Sequence, residues 1–258
     1  MTLMNTPLIL ITNDDGINSP GLRYLIKIMN TLGKVVVIAP DKHQSAQSHA
    51  ITIDHPIRCD RVIIDDGKQL EFKCTGTPVD CIKLGLSKIL DRKPDICISG
   101  INHGSNSSTN VIYSGTVSAA MEAYLNGITS IAFSLLDHSI NANFSHTDTF
   151  ILSITKKILS YNSKLCLNIN FPKILNDQPL KGIKVCHQAE GRWIEEFDER
   201  FDPKGDRYFW LTGKFVNNDK SENSDQNLLD NNFVTVVPVK YNLTDEELIK
   251  PINKLLNE

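Results

Sequence analysis

Short apolar runs at 8–11, 35–38, 96–98, 131–133 and 165–169 are rich in Ile, Val and Leu and hardly alternate with polar residues. Runs of this kind suit strands covered on both faces, as in a parallel sheet. Between them the apolar spacing becomes helical. Leu22, Leu25, Ile26 and Met29 fall at i, i+3, i+4 and i+7, and so do Val117, Ala120, Met121 and Tyr124. Val79, Ile82, Leu86 and Ile89 form a third stripe. Ser19-Pro20 and Thr77-Pro78 each place a hydroxyl cap before a proline at the first helical position. Strands alternating with helices predict right-handed βαβ units: an α/β fold, Rossmann-like and doubly wound, around a mostly parallel sheet. Ligands of such sheets bind in the crevice beyond the carboxyl ends of the strands.

From about residue 181 the pattern changes. Runs at 183–186, 208–211 and 233–237 read as separate strands, and 217–232 is almost wholly polar, reading as a mobile surface loop. A helix is predicted over 245–256, entered by the capping box Thr244-x-x-Glu247. Segments 51–53, 57–65 and 70–75 suit a peripheral hairpin. The expected organisation is a core over 1–180 followed by a β-rich extension and C-terminal helix over 181–258, without internal repeats.

Charge and composition narrow the function classes. The 258 residues carry 27 Lys+Arg against 30 Asp+Glu, a formal net charge of −3, which argues against a stable nucleic-acid complex or attraction to an anionic membrane. No apolar run approaches the roughly 18–20 residues of a membrane span. The first residues lack Lys and Arg, and their apolar run stops at Thr12, against a secretory signal. The six cysteines (59, 74, 81, 97, 166, 186) form no Cys-x-x-Cys and read as reduced thiols, so a cytoplasmic location is expected.

Candidate chemistry gathers after the predicted strands. Asn13-Asp14-Asp15-Gly16 ends the first one. A turn there lets two carboxylates converge on one cation, although the same residues also suit a solvated turn. Residues 39–49 follow the second strand, where Ser45 or Ser48 offers a hydroxyl; by itself this segment is an ordinary polar loop. Ser99-Gly100-Ile101-Asn102-His103-Gly104-Ser105-Asn106 follows the third, with glycines for close approach and amide oxygens from Asn102 and Asn106. It leads to Ser114-Gly115-Thr116 before the Val117 helix, which suits either a plain cap or an anion site. Together these follow strands of one sheet. Their oxygen donors fit Mg²⁺ or Mn²⁺ better than zinc, and His43, His49 and His55 lack zinc-ligand spacing. A hard cation beside an anion pocket points to phosphoryl chemistry.

These segments resemble the SurE family, stationary-phase survival proteins that act as metal-dependent nucleoside monophosphate phosphatases. The resemblance rests on residues 11–16, Ala39-Pro40-Asp41 with Ser45 and His49, residues 75–81, 99–104 and 113–117, and then Arg192-Trp193, Phe209-Trp210 and 234–238. It implies a metal held by Asp14, Asp15, Ser45 and Asn102, and a phosphate pocket lined by Asn106 and Ser114-Gly115-Thr116. It further implies one divalent ion per subunit, Mg²⁺ or Mn²⁺, hydrolysis of nucleoside 5′- or 3′-monophosphates, and a homodimer or homotetramer assembled through the extension. Asp14 is the expected proton acceptor, with His49 the alternative. Family members often carry glycine where this chain has Ser108 and Asn232. Three other readings fit less well. A haloacid-dehalogenase type needs Asp-x-Asp, whereas these aspartates are adjacent; a phospho-receiver wants an Asp where Ser99-Gly100 stands; and a non-catalytic nucleotide- or phosphate-binding regulatory protein would bind without releasing phosphate.

Overall fold

A computed structural model describes residues 6–174 and 178–257. The chain runs β1 (Leu8–Thr12), α1 (Pro20–Met29), β2 (Lys34–Pro40), β3 (Cys59–Val62), β4 (Leu70–Cys74), α2 (Pro78–Leu84), β5 (Ile96–His103), α3 (Gly115–Leu125), β6 (Ser130–Leu135), α4 (Asp148–Leu159) and β7 (Cys166–Phe171). It continues through β8 (Ile183–Val185), β9 (Gly191–Ile194), β10 (Phe197–Phe201), β11 (Arg207–Leu211), β12 (Lys214–Asn217), α5 (Asp225–Asp230), β13 (Val234–Val239) and α6 (Glu246–Asn257). Nine strands form one sheet in the order β3-β4-β2-β1-β5-β6-β7-β13-β8. All neighbours are parallel except β3 with β4 and β7 with β13. The fold is therefore α/β with a mostly parallel sheet.

The unbroken apolar runs are explained by burial on both faces. Alternate residues of β1 and β2 divide between two clusters. Ile9, Ile11, Val35 and Val37 meet Leu22, Leu25 and Ile26 of α1 and Ile151 of α4. Leu8, Leu10, Val36 and Ile38 meet Cys81 and Ile82 of α2 and Ala119 and Ala123 of α3 on the other side. The six cysteines are free thiols. The Thr77 cap forms with Asp80 in a reciprocal capping box, whereas the Ser19 hydroxyl makes no cap bond and accepts from Asn13 Nδ2 at 2.7 Å. The predicted hairpin is β3–β4, at one edge of the sheet.

Residues after 181 behave in three ways. β8 and β13 extend the central sheet. β9 pairs with β12 and β10 with β11, so 191–217 is a two-stranded arm. Positive φ at Glu195 (53°) and Gly213 (113°) marks the break between its base and its tip. The polar segment 217–232 is not a free loop: it holds α5, buries Leu228 and Leu229, and buries the Asp225 carboxylate. Its polar side chains are spent on its own backbone, as where Asn227 Nδ2 donates to the carbonyls of Asp219 and Ser221. The last helix lies close to its predicted range, but its cap is Asp245, which accepts from the N–H groups of Glu247 and Leu248, and not the Thr244 box.

Candidate functional site

The loops after β1, β2 and β5 meet at the carboxyl ends of those strands. The turn after β1 is set from within: buried Asn13 donates to Gly16 O (3.1 Å) as well as to Ser19, and Gly16 takes φ +95°. Only glycine adopts that conformation freely. The turn leaves Asp14 and Asp15 beside one another, both nearly inaccessible. Gln44 N–H donates to Asp14 O at 2.7 Å, drawing in the loop that carries Ser45. That loop is fastened again at Ser48, whose Oγ donates to Ile112 O (2.8 Å). On β5 the pairing with β6 shifts between Ser99 and Asn102, and Gly100 lies so close to Phe133 O that a Cβ would meet it at 2.4 Å. Asn102 Nδ2 donates to Gly104 O (2.9 Å), and this fixes its amide so that Oδ1 is the atom left over.

These loops enclose a cavity of about 550 Å³. Asp14, Ser45, Asn102, Asn106 and Ser114 are among the residues that line it. Gly115 and Thr116 stand behind Asp14: the Thr116 hydroxyl donates to Asp14 Oδ1, and a Cβ on Gly115 would lie 2.9 Å from Asp14 Cβ. Ser114 Oγ accepts from Val117 N–H at 3.0 Å and so caps α3. Asn106 is held by a buried polar network, its N–H donating to Asn170 Oδ1 (2.8 Å) and its Nδ2 to Ser134 Oγ (2.8 Å).

Burial, with Asp15 adjacent, pushes the Asp14 carboxyl up to about 6 against the opposing Thr116 hydrogen bond. Burial also raises Asp15, opposed by the His103 N–H it accepts at 3.2 Å and by His43, whose Nδ1 is 3.4 Å from its Oδ1. Two carboxylates held away from water with raised pKa values favour a cation between them. No cluster of three or more His, Cys, Asp or Glu side chains suited to a metal occurs among the described residues. Two carboxylates plus neutral oxygens are donors that would suit a hard divalent ion.

His49 is turned elsewhere: its Nε2 lies 3.0 Å from Glu122 Oε2, beside Lys83. The cavity is also lined by residues whose types and spacing suggest no role, among them Trp193 and Phe215 from the arm, Asn110, His138 and Gln226. The one signal available was the Arg192-Trp193 pair, a large aromatic on a short strand next to a charged residue.

Comparison with known proteins places the chain in a family. A family model described as Survival protein SurE matches residues 9–195. The chain is 53% identical over 250 residues to the 5′-nucleotidase SurE of Christiangramia forsetii, covering 96% of both chains. It is 52% identical over 249 residues to the 5′-nucleotidase SurE of Flavobacterium johnsoniae, again 96% of both. The crystal structure of the SurE protein of Aquifex aeolicus superposes with a TM-score of 0.81 at 36% identity, covering 96% of this chain and 99% of that one.

Proposed function

The chain belongs to the SurE family, and from that premise we propose that it is a 5′-nucleotidase that hydrolyses nucleoside monophosphates to nucleoside and phosphate. The observation that supports the reading is that Asp14, Ser45 and Asn102 line one cavity with Ser114 at the start of α3, while Asp15, next in the chain to Asp14, accepts from His103 N–H. Asp14, Asp15, Ser45 and Asn102 would hold one Mg²⁺ or Mn²⁺ per subunit. Such an ion supplies Lewis-acid polarisation of a phosphate oxygen and acidification of the water nucleophile.

The protein's own groups do the rest. The first-turn N–H groups of α3, at Gly115 and Thr116, are donors that the helix does not use, and they carry the positive end of its dipole. With the Ser114 hydroxyl and the second N–H of the Asn106 amide, they would bind the phosphate oxygens and stabilise charge building there. The Asp14 carboxylate is the proposed acceptor of the water's proton, and the Thr116 hydroxyl that donates to its Oδ1 fixes its orientation. Water adds to phosphorus, the ester oxygen leaves with a proton, and nucleoside and inorganic phosphate result.

Among the described residues no helix is long and apolar enough to cross a membrane. The reading includes a cytoplasmic homodimer or homotetramer built through the arm and α6. The supporting observation is the exposure of Phe197, Phe209 and Trp210 on the arm and of Leu248, Ile252 and Leu255 on α6.

Asp14→Asn tests the centre of the proposal. With saturating Mn²⁺, phosphate release from a nucleoside monophosphate should fall more than about 100-fold. Unchanged turnover rejects the assignment.

A further inference from the structure

The cavity lining is in part polar and in part apolar. Asp14, Ser45, Asn102, Asn106 and Ser114 supply polar wall; Trp193, Phe215, Tyr113 and Leu136 supply apolar wall. Trp193 is 40% exposed, yet its ring is not loose. Its Nε1–H donates to Asn110 Oδ1 at 2.8 Å, and it meets Phe215 edge to face with centroids 5.8 Å apart. An aromatic face held rigid at the mouth of a polar site is a surface on which another planar ring stacks with little ordering cost.

What holds the wall in place lies behind it. Ser108 adopts φ +54°, an uncommon conformation for a residue with a side chain. Its hydroxyl donates to Ala189 O and accepts from Gly191 N–H, both at 2.8 Å, while Thr109 Oγ1 donates to Gly191 O at 2.8 Å. Gly191 is the first residue of β9, two before Trp193, and Phe215 packs so closely over it that a Cβ would meet the ring at 2.3 Å. Ser108 thus ties the loop that follows the Asn102–Asn106 segment to the strand that carries the tryptophan.

We propose that Trp193, backed by Phe215, is the surface on which the substrate's nucleobase packs, and that Ser108 is a positioning residue that sets this surface against the phosphate site. The proposal rests on the nucleotidase reading and deepens it. A nucleoside monophosphate spans both walls; a sugar phosphate without a base touches only the polar one. The Trp193 wall therefore selects nucleotides over other phosphomonoesters.

Steady-state kinetics with adenosine 5′-monophosphate and with ribose 5-phosphate, in Mn²⁺, test it. Trp193→Ala should raise KM for the nucleotide about 10-fold, leaving kcat and the ribose 5-phosphate kinetics within about twofold. Trp193→Phe, which keeps a ring, should recover most of the loss. Ser108→Gly tolerates the backbone conformation but removes both hydroxyl bonds, and should raise the nucleotide KM without altering ribose 5-phosphate hydrolysis. Equal changes for the two substrates in Trp193→Ala overturn the base-packing proposal and leave the phosphatase standing. A nucleotide KM unmoved by Ser108→Gly removes the positioning role. A wild-type protein inert to both substrates removes the nucleotidase reading and this proposal with it.

Discussion

Asp14 is the residue whose charge state the fold controls most tightly. Its ordinary value is 3.8 and its folded value about 6. A carboxyl raised on folding stabilises the native state fully below its unfolded pKa, and that contribution is lost as pH climbs through the folded one. For the metal-free protein this is worth at most about 3 kcal/mol, and Asp15 shifts in the same direction. Relative to Asp14→Asn, the metal-free protein should therefore melt higher at pH 5 than at pH 7.5, by several degrees. A divalent cation competes with the proton, so the Tm gain from Mn²⁺ should be large above pH 6 and shrink below it. Thermal melts with chelator and with Mn²⁺ at the two pH values check both statements. A metal-free Tm that falls toward pH 5 in the wild type but not in the variant would contradict the burial of Asp14. At this scale the polar part of the cavity was legible because its residues lie at or after the carboxyl ends of β1, β2 and β5, where the fold expects ligands. The roles within it were less so. Thr116 lies one residue from a helix start and looks like an anion ligand, yet its hydroxyl is given to Asp14, 102 residues away. His49 looks like a base and is paired with Glu122.

At the scale of elements, α5 shows how a polar stretch becomes structural. Asp225 accepts from Ser108 N–H and from Ala189 N–H, each at 2.9 Å, joining three stretches far apart in the chain. Asp225→Ala strands both donors at a cost of about 1–3 kcal/mol each, offset in part because the buried carboxyl is itself raised. A Tm lower by about 5 °C is expected in calorimetry, with no change in the strand content seen by circular dichroism. An unaltered Tm would mean that water replaces the carboxylate without loss. The central strands and α1 were readable because burial on two faces demands unbroken apolar runs and a helix on one face demands a stripe. Segment 217–232 was not, because its order comes from side chain to backbone bonds, which leave no periodic trace in hydrophobicity. The base of the arm left no such trace either: its Gly191 is placed by loop hydroxyls and its Trp193 by the Asn110 amide oxygen.

At the scale of the whole molecule, two runs of exposed apolar side chains stand out among the described residues. The arm tip exposes Phe197, Phe201, Phe209, Trp210 and Leu211, and α6 exposes Leu248, Ile249, Ile252, Leu255 and Leu256. Neighbouring exposed side chains of this size mark association surfaces. Light scattering should give a mass of two or four chains, and Phe209→Ser with Trp210→Ser should lower it while leaving the secondary structure intact. A monodisperse single chain in the wild type would refute assembly through the arm.

The break in that arm has a consequence of its own. Inward of Glu195 and Gly213 the ribbon is bolted to its home chain by Ser108, Thr109 and, through Ala189, Asp225; outward of them it carries the greasy tip. Whatever neighbour the tip embraces, the tryptophan inward of the bend stays where its own subunit put it. In an assembly built through the tip, each copy would then keep the cavity that its own chain lines.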